Sequence, residues 1–126
     1  DDPHNGYGPN RFRRLAAAGK EIILFGKGEE KRDHVLIDDV AELIRLMSWY
    51  KSHGVLNAAT GTLTSFRNIA VLAVKLSGKA IKIKSSPRVG EIPHNGYRPF
   101  DPAATKSKFP NFNYTPLEVG MAIKSR

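Results

Sequence analysis

The spacing of apolar residues changes along the chain between two patterns, one typical of strands and one typical of helices. Four consecutive apolar residues at 22–25 end at Gly26 and predict a strand, and residues 34–37 predict a second one. A third apolar run at 55–59 predicts a buried strand, whereas residues 80–84 alternate apolar and polar as a half-exposed strand does. Helical spacing lies between these runs, so the predicted fold class is α/β.

The ends of the predicted helices are marked by capping residues. Pro9 at a first helical position and Gly19 just past the end bracket the first helix. Asp39 and Glu42 have the spacing of a capping box, so we interpret the Asp38-Asp39 pair as a helix N-terminus and not as catalytic carboxylates. Later helices are predicted from Thr64 or Ser65 to Gly78, after Asp101-Pro102, and after a second capping box at Thr115 and Glu118.

The basic composition favours an anionic partner. The net charge is +8, but the positive residues are spread from Arg11 to Arg126 and are not interleaved with stacking aromatics. A phosphorylated small ligand or an acidic partner domain accounts for the charge better than nucleic acid does. The longest apolar run is too short to span a membrane. The chain has no cysteine, which fits a reducing cytosol, so a cytoplasmic location is predicted.

Motifs for metal binding and catalysis are not found in the sequence. The segment at 3–9 nearly recurs at 93–99, which places His4 and His94 in similar loops, but neither has a metal-ligand spacing or a partner carboxylate. Neither a glycine-rich dinucleotide loop nor a nucleophile elbow is present. The sequence therefore predicts no metal site, no catalytic residue and no cofactor-binding residue.

Four segments occur in an order that resembles a known family. They are GKEIILFGKG at 19–28, RDHVLIDDV at 32–40, GVLNAATG at 54–61 and PRVGE at 87–91. Together they are similar to the C-terminal part of extended short-chain dehydrogenases/reductases, the NAD-dependent nucleotide-sugar epimerases and dehydratases. The resemblance covers roughly residues 7–118.

The resemblance implies that this chain is a part of a larger Rossmann-type enzyme. Such enzymes bind NAD or NADP with a glycine-rich loop and react through a Tyr-x-x-x-Lys pair, and neither motif is in these residues. The opening residues also do not read as a natural start. We therefore expect residues 1–126 to be a single truncated domain, the substrate-binding segment, with the Rossmann half missing, no cofactor of its own and no turnover.

The resemblance also implies seven substrate-binding residues. The base of a UDP- or dTDP-sugar would lie against the strand end at Ile23 and Phe25. Arg32 and Arg88 match the two arginines that clamp the diphosphate, a task for which the planar guanidinium fork is suited. The remaining three are Glu91, in place of an acidic ribose partner that is often Asp, and Asn10 and Arg11, which match the family pattern only loosely.

Two alternatives and one further expectation follow. The chain could belong to a non-catalytic, NAD(P)-sensing relative of the same superfamily, or it could be a basic nucleic-acid-binding module. In the family fold, residues 55–59 would join the sheet of the missing half. Without that half the chain would expose apolar surface, and we expect it to form a homodimer or to associate.

Overall fold

The computed structural model describes residues 6–123, and short strands alternate with helices, which confirms the α/β class. The helices are α1 Pro9–Ala17, α2 Ile37–Trp49, α3 Phe66–Ser77, α4 Ala103–Lys108 and α5 Leu117–Ala122. The strands are β1 Ile22–Phe25, β2 Lys31–Arg32, β3 Thr64–Ser65, β4 Ile83–Ser86 and β5 Tyr97–Arg98, with a 3-10 turn at Pro93–Gly96.

The core lies where α1, α3 and α5 pack around β1. The strand alternates strictly, with Ile22 and Leu24 fully buried and the residues after each exposed. Phe12 of α1 and Ile69 of α3 are also fully buried, and each such side chain contributes about 1.5–3 kcal/mol of hydrophobic stabilisation. One face of β1 is thereby fixed in the core, and its other face is exposed.

Two small sheets place the loops around this core. β1 pairs in parallel with β4, so that Ile22 lies opposite Ile83. In the second sheet β2 is central: it pairs antiparallel with β3 and in parallel with β5. Because β2 follows β1 after a short loop, the C-terminal end of β1, the residues of β2 and the segment after β4 come together.

The end signals of α1 and α3 are confirmed, and two capping boxes are wrong. α1 begins at Pro9, and Gly19 follows its end with a φ of +70°. The Ser65 side chain accepts the Asn68 backbone N–H at 3.1 Å, and Gly78 ends α3 in the left-handed conformation. α2 starts at Ile37, so Asp38 and Asp39 lie inside its first turn, where they favour the helix dipole without capping it. The second box also fails, since no side chain caps α5.

Three strand predictions need correction. Residues 34–36 are irregular and Ile37 is the first residue of α2, so the predicted strand at 34–37 is wrong; Ile37 is exposed, and the acidic residues after it favour a helix start. Residues 55–59 form no strand, because no described strand lies beside them to supply ladder hydrogen bonds. The strand predicted at 80–84 is displaced to Ile83–Ser86, where pairing with β1 is available.

Five large apolar side chains of α2 and the segment after it are exposed. They are Ile37, Ile44, Trp49, Tyr50 and Val55. Among the described residues, none of the helices is both long enough and apolar enough to cross a membrane.

Candidate functional site

The exposed face and open edge of β1 form one wall of the candidate site. Since Ile22 and Gly26 donate their backbone N–H groups to the segment at β4, the alternate residues Ile23 and Phe25 turn their backbone groups the other way. Their side chains are about half exposed, at 55% and 49%. The sequence prediction that this strand end is accessible at these two residues agrees with the geometry.

Tyr7 completes this wall. Its hydroxyl accepts the Phe25 backbone N–H at 3.1 Å, and its ring lies 4.6 Å from the Phe25 ring between centroids. The Tyr7 ring also packs against Phe12 and Phe66, so it connects the strand end to the core. Burial raises the pKa of the Tyr7 hydroxyl above its ordinary value, partly offset by that backbone hydrogen bond. The hydroxyl therefore stays protonated and can donate as well as accept.

Glu30 brings the two predicted arginines together. Its Oε2 accepts from Arg32 Nη2 at 2.8 Å, and its Oε1 pairs with Arg88 Nη2. The Glu30 residue is only 6% exposed, and the side chains of Arg32 and Arg88 are 20% and 17% exposed. Two guanidinium groups distant in sequence thus meet on one buried carboxylate.

Arg88 also reaches the strand wall. Its Nη2 lies 3.5 Å from the carbonyl oxygen of Phe25, at the limit of a hydrogen bond. Its Nε is buried and has no hydrogen-bond partner among the described residues. A buried guanidinium N–H that lacks an acceptor costs free energy.

The backbone around Glu30 is held by the start of α3. The Gly28 carbonyl accepts from the Arg67 N–H, and the Glu30 carbonyl accepts from the Phe66 N–H, both at 3.0 Å. Gly28 has a φ of +73°, and a Cβ there would lie 2.7 Å from a Leu24 methyl. Only glycine fits this turn, which directs Glu30 inward and leaves the neighbouring Lys31 exposed.

The other three predicted residues lie apart along the chain from this group. Glu91 is exposed in the loop after β4, next to Gly90, which has a φ of +87°. Asn10 is exposed on α1 and lines a cavity of about 240 Å³, while Arg11 is half-buried on the same helix. The contacts described above join Phe25, Arg32 and Arg88 into one group, with Ile23 beside them on β1.

Sequence reasoning missed Tyr7 and Glu30. Glu30 had a usable signal: it stands in a run of four charges that ends in the two residues of β2, and a carboxylate buried beside a strand requires a partner for its charge. Tyr7 had no such signal, because its contact with Phe25 depends on how α1 packs against β1.

A second cavity, of about 440 Å³, lies behind the site. Among its lining residues are His34, Thr60, Thr105 and Tyr114. The His34 Nε2 is buried without a hydrogen-bond partner in the part of the chain that the structure describes. Burial lowers the pKa of His34, although the adjacent Asp33 carboxylate acts in the opposite direction. His34 is consequently neutral at physiological pH and lines this cavity as a partly buried side chain.

Asp39, predicted as a helix cap, instead binds the segment before α5. Its Oδ2 accepts the Thr115 N–H at 2.7 Å, and its Oδ1 accepts the Thr115 hydroxyl at 2.9 Å. The carboxylate therefore joins the start of α2 to the C-terminal part of the fold. This finding supports a structural role for Asp39, as the sequence suggested, with a different partner.

Metal binding receives no support from the described residues. Residues 6–123 contain no group of three or more His, Asp or Glu side chains placed to hold an ion. His94 is exposed and lies 3.4 Å from an Arg98 nitrogen, an unsuitable setting for a cation. His4, the other half of that comparison, lies outside the described residues.

Comparisons with known proteins identify relatives of this fold. Residues 3–59 match the model of the NAD dependent epimerase/dehydratase family. The UDP-glucose 4-epimerase of Thermus thermophilus, solved with NAD, superposes with a TM-score of 0.77 at 22% identity over 97% of this chain. The Thermotoga maritima UDP-glucose 4-epimerase, solved with UDP-glucose, gives 0.77 at 25% identity over 90%. An epimerase of Methanothermobacter thermautotrophicus gives 0.80 at 15% identity over 94%.

The matched region is a minor part of each relative. This chain spans 40% of the Thermus enzyme, 36% of the Thermotoga enzyme and 35% of the Methanothermobacter one. A search of curated proteins finds no significant match. The resemblance to the epimerase/dehydratase family and the partial-chain fold, both predicted from the sequence, are confirmed by these matches.

Proposed function

We propose that this chain, which resembles the NAD dependent epimerase/dehydratase family in sequence and fold, is the substrate-binding part of a nucleotide-sugar epimerase or dehydratase. In this proposal it holds the base and the diphosphate of a UDP- or dTDP-sugar. A cofactor-binding half, outside these 126 residues, supplies NAD or NADP and the reacting Tyr-Lys pair. A cytoplasmic location and a homodimer remain predictions.

One observation carries the proposal. Arg32 and Arg88 meet on the buried carboxylate of Glu30, and the buried Arg88 Nε lacks a partner among residues 6–123. Guanidinium groups keep their charge and present several N–H donors in a plane, which suits them to bridging phosphate oxygens. After Glu30 has taken one nitrogen of each arginine, further donors remain on both. A diphosphate would supply the acceptors.

The β1 wall supports the placement of the base. A uracil or thymine edge presents one N–H donor between two carbonyl acceptors, and it can pair with the alternating groups of an open strand edge. Ile23 offers such groups. At Phe25 the backbone N–H is bound by the Tyr7 hydroxyl and the carbonyl lies near Arg88, so the base would meet that hydroxyl there, and the Phe25 and Tyr7 rings provide a surface for the flat base. The Arg88 contact with the Phe25 carbonyl supports a phosphate position next to this wall.

The glycine turn after β1 does not fit the dinucleotide. The Glu29 carboxylate accepts the Lys27 N–H at 2.7 Å and lies 2.9 Å from the position that a Gly26 Cβ would occupy. A negative group therefore stands where a phosphate would need backbone N–H donors. We accordingly assign cofactor binding to the other half of the proposed enzyme.

Calorimetric titration of this chain with UDP-glucose, dTDP-glucose and NAD tests the assignment. We expect the two nucleotide sugars to bind, NAD not to bind at micromolar concentration, and no sugar nucleotide to be oxidised or epimerised. Measurable NAD binding would contradict the assignment to the substrate side. If the chain binds NAD and neither nucleotide sugar, it is a cofactor-binding segment and the proposed function is wrong.

A further inference from the structure

We propose that Glu30 is a positioning residue of this site and that it also controls how strongly the site responds to ligand charge. The inference rests on the proposed function, since it concerns the same arginine pair. It adds a residue that the sequence resemblance did not indicate. Its ligand class is the diphosphate anion, either as a sugar ester or as a free nucleoside diphosphate.

Glu30 is the group that makes the two arginines neighbours. Its two carboxylate oxygens bind different guanidinium groups, and the carboxylate is buried between them. Two guanidinium cations placed side by side without a counter-charge repel one another. Removing the carboxylate would therefore release at least one arginine toward solvent. A substrate would then have to recruit that side chain at a cost in conformational entropy.

Glu30 also halves the charge that a ligand meets. The two arginines contribute +2, and the carboxylate lowers this sum to +1. A nucleoside diphosphate sugar carries one negative charge on each phosphate, whereas a free nucleoside diphosphate has a terminal phosphate with further negative charge near neutral pH. A more positive site would increase the affinity for the free diphosphate more than for the sugar ester. By lowering the positive charge, Glu30 therefore limits how much more tightly the free nucleoside diphosphate binds than the nucleotide sugar.

The substitution Glu30→Gln separates charge from shape. The glutamine amide has nearly the same size, but it offers one acceptor oxygen in place of two and carries no charge. Glu29→Gln is the matched control, because Glu29 is the adjacent glutamate, is exposed, and accepts a hydrogen bond from the Lys27 backbone; toward Arg88 it has only a solvent-exposed electrostatic attraction. Both variants change the net charge of the protein by the same amount.

The assay is calorimetric titration of the three proteins with UDP-glucose and with UDP in the same buffer. For Glu30→Gln we expect the ratio of the Kd for UDP-glucose to the Kd for UDP to increase by about fivefold or more relative to the unsubstituted protein. For Glu29→Gln the ratio should change by less than about twofold, because its charge is solvated. Glu30→Ala should also weaken UDP-glucose binding itself by about tenfold.

The outcomes separate this inference from the function on which it rests. Equal weakening of both ligands in Glu30→Gln, with an unchanged ratio, would overturn the charge role. If the unsubstituted protein binds neither UDP-glucose nor UDP, the proposed function fails first. If Glu30→Gln does not fold, the salt dependence of the unsubstituted protein tests the charge role. The ratio of its Kd for UDP-glucose to its Kd for UDP should change by less than about threefold between about 0.05 and 0.5 M salt. A larger change would contradict a site of reduced charge.

Discussion

Replacing Arg32 by alanine is the most direct test of the proposed diphosphate site. The Arg32 side chain is only 20% exposed and lies beside Arg88 on a common carboxylate. Truncation removes a charged contact from a partly desolvated site, which typically costs about 2–5 kcal/mol of binding free energy. We expect the lower end of that range, because Arg88 remains in place.

The lower end of that range corresponds to a large change in affinity. At about 1.4 kcal/mol per decade, a loss of about 2 kcal/mol raises the Kd for a UDP- or dTDP-sugar roughly thirtyfold. Arg32→Lys should fall between the two proteins, since it keeps the charge but loses the planar fork. The measurement is isothermal titration calorimetry of the unsubstituted protein and the two variants at one fixed ionic strength.

Lys31→Ala is the matched control. Lys31 is the adjacent residue of β2, is exposed, and contributes its backbone to pairs with Ser65 and Tyr97 that alanine preserves. Its substitution should change the binding free energy by less than about 0.5 kcal/mol. Urea denaturation should show both variants folded, since Glu30 retains Arg88 as a partner. Equal and small effects of the two substitutions on affinity would refute the role of Arg32.

Four further predictions concern the fold around the site. Burial lowers the pKa of His34 below its value in the unfolded chain, so its contribution to stability is complete above about pH 6.5. Below that pH the unfolded state takes up the proton first, and the free energy of unfolding decreases by at most about 1.4 kcal/mol per pH unit. Urea titrations of His34→Gln should show a shallower dependence of the free energy of unfolding on pH. Asp39→Ala should lower the free energy of unfolding by about 1–3 kcal/mol through loss of its Thr115 hydrogen bonds, while exposed Asp38→Ala should cost under about 0.5 kcal/mol, and equal losses would contradict this account. Gly28→Ala should cost more than about 1 kcal/mol in the same assay, because φ is positive and the Cβ has no space; a neutral result would mean that the turn relaxes freely. The 126-residue chain should sediment as a dimer or larger species and bind an apolar dye, whereas a well-folded monomer without dye binding would refute the expected association.

Local signals predicted the parts of the fold that depend on neighbouring residues. Ser65 and Gly78 marked both ends of α3, and the apolar run at 22–25 marked β1, because a cap and a short buried strand act within a few positions. The capping role of Asp39 could not be judged in this way. Its carboxylate binds Thr115, 76 positions away, and a distant donor competes with the local one.

The sequence resemblance indicated only some residues of the candidate site. The resemblance located Phe25, Arg32 and Arg88, and the structure joins them. Glu30 was not among them, because its role depends on the ion pair with Arg88. Arg88 reaches Glu30 only through the parallel pairing of β1 with β4. Spacing along the chain carries no information about that register.

That parallel pairing has a consequence for the order of events during synthesis. Ser86 binds the Leu24 carbonyl across 62 positions, and Arg88 approaches Phe25 across 63. A chain emerging from the ribosome contains the residues of α1, β1 and β2 well before either partner residue exists, and contacts of such sequence separation form slowly. Until the segment after α3 has been synthesised, the Glu30 carboxylate therefore lacks its ion pair with Arg88. We expect a nascent chain that stops before β4 to bind no nucleotide, and protease cleavage in the region of α3 and β4 to abolish binding even where β1 is intact.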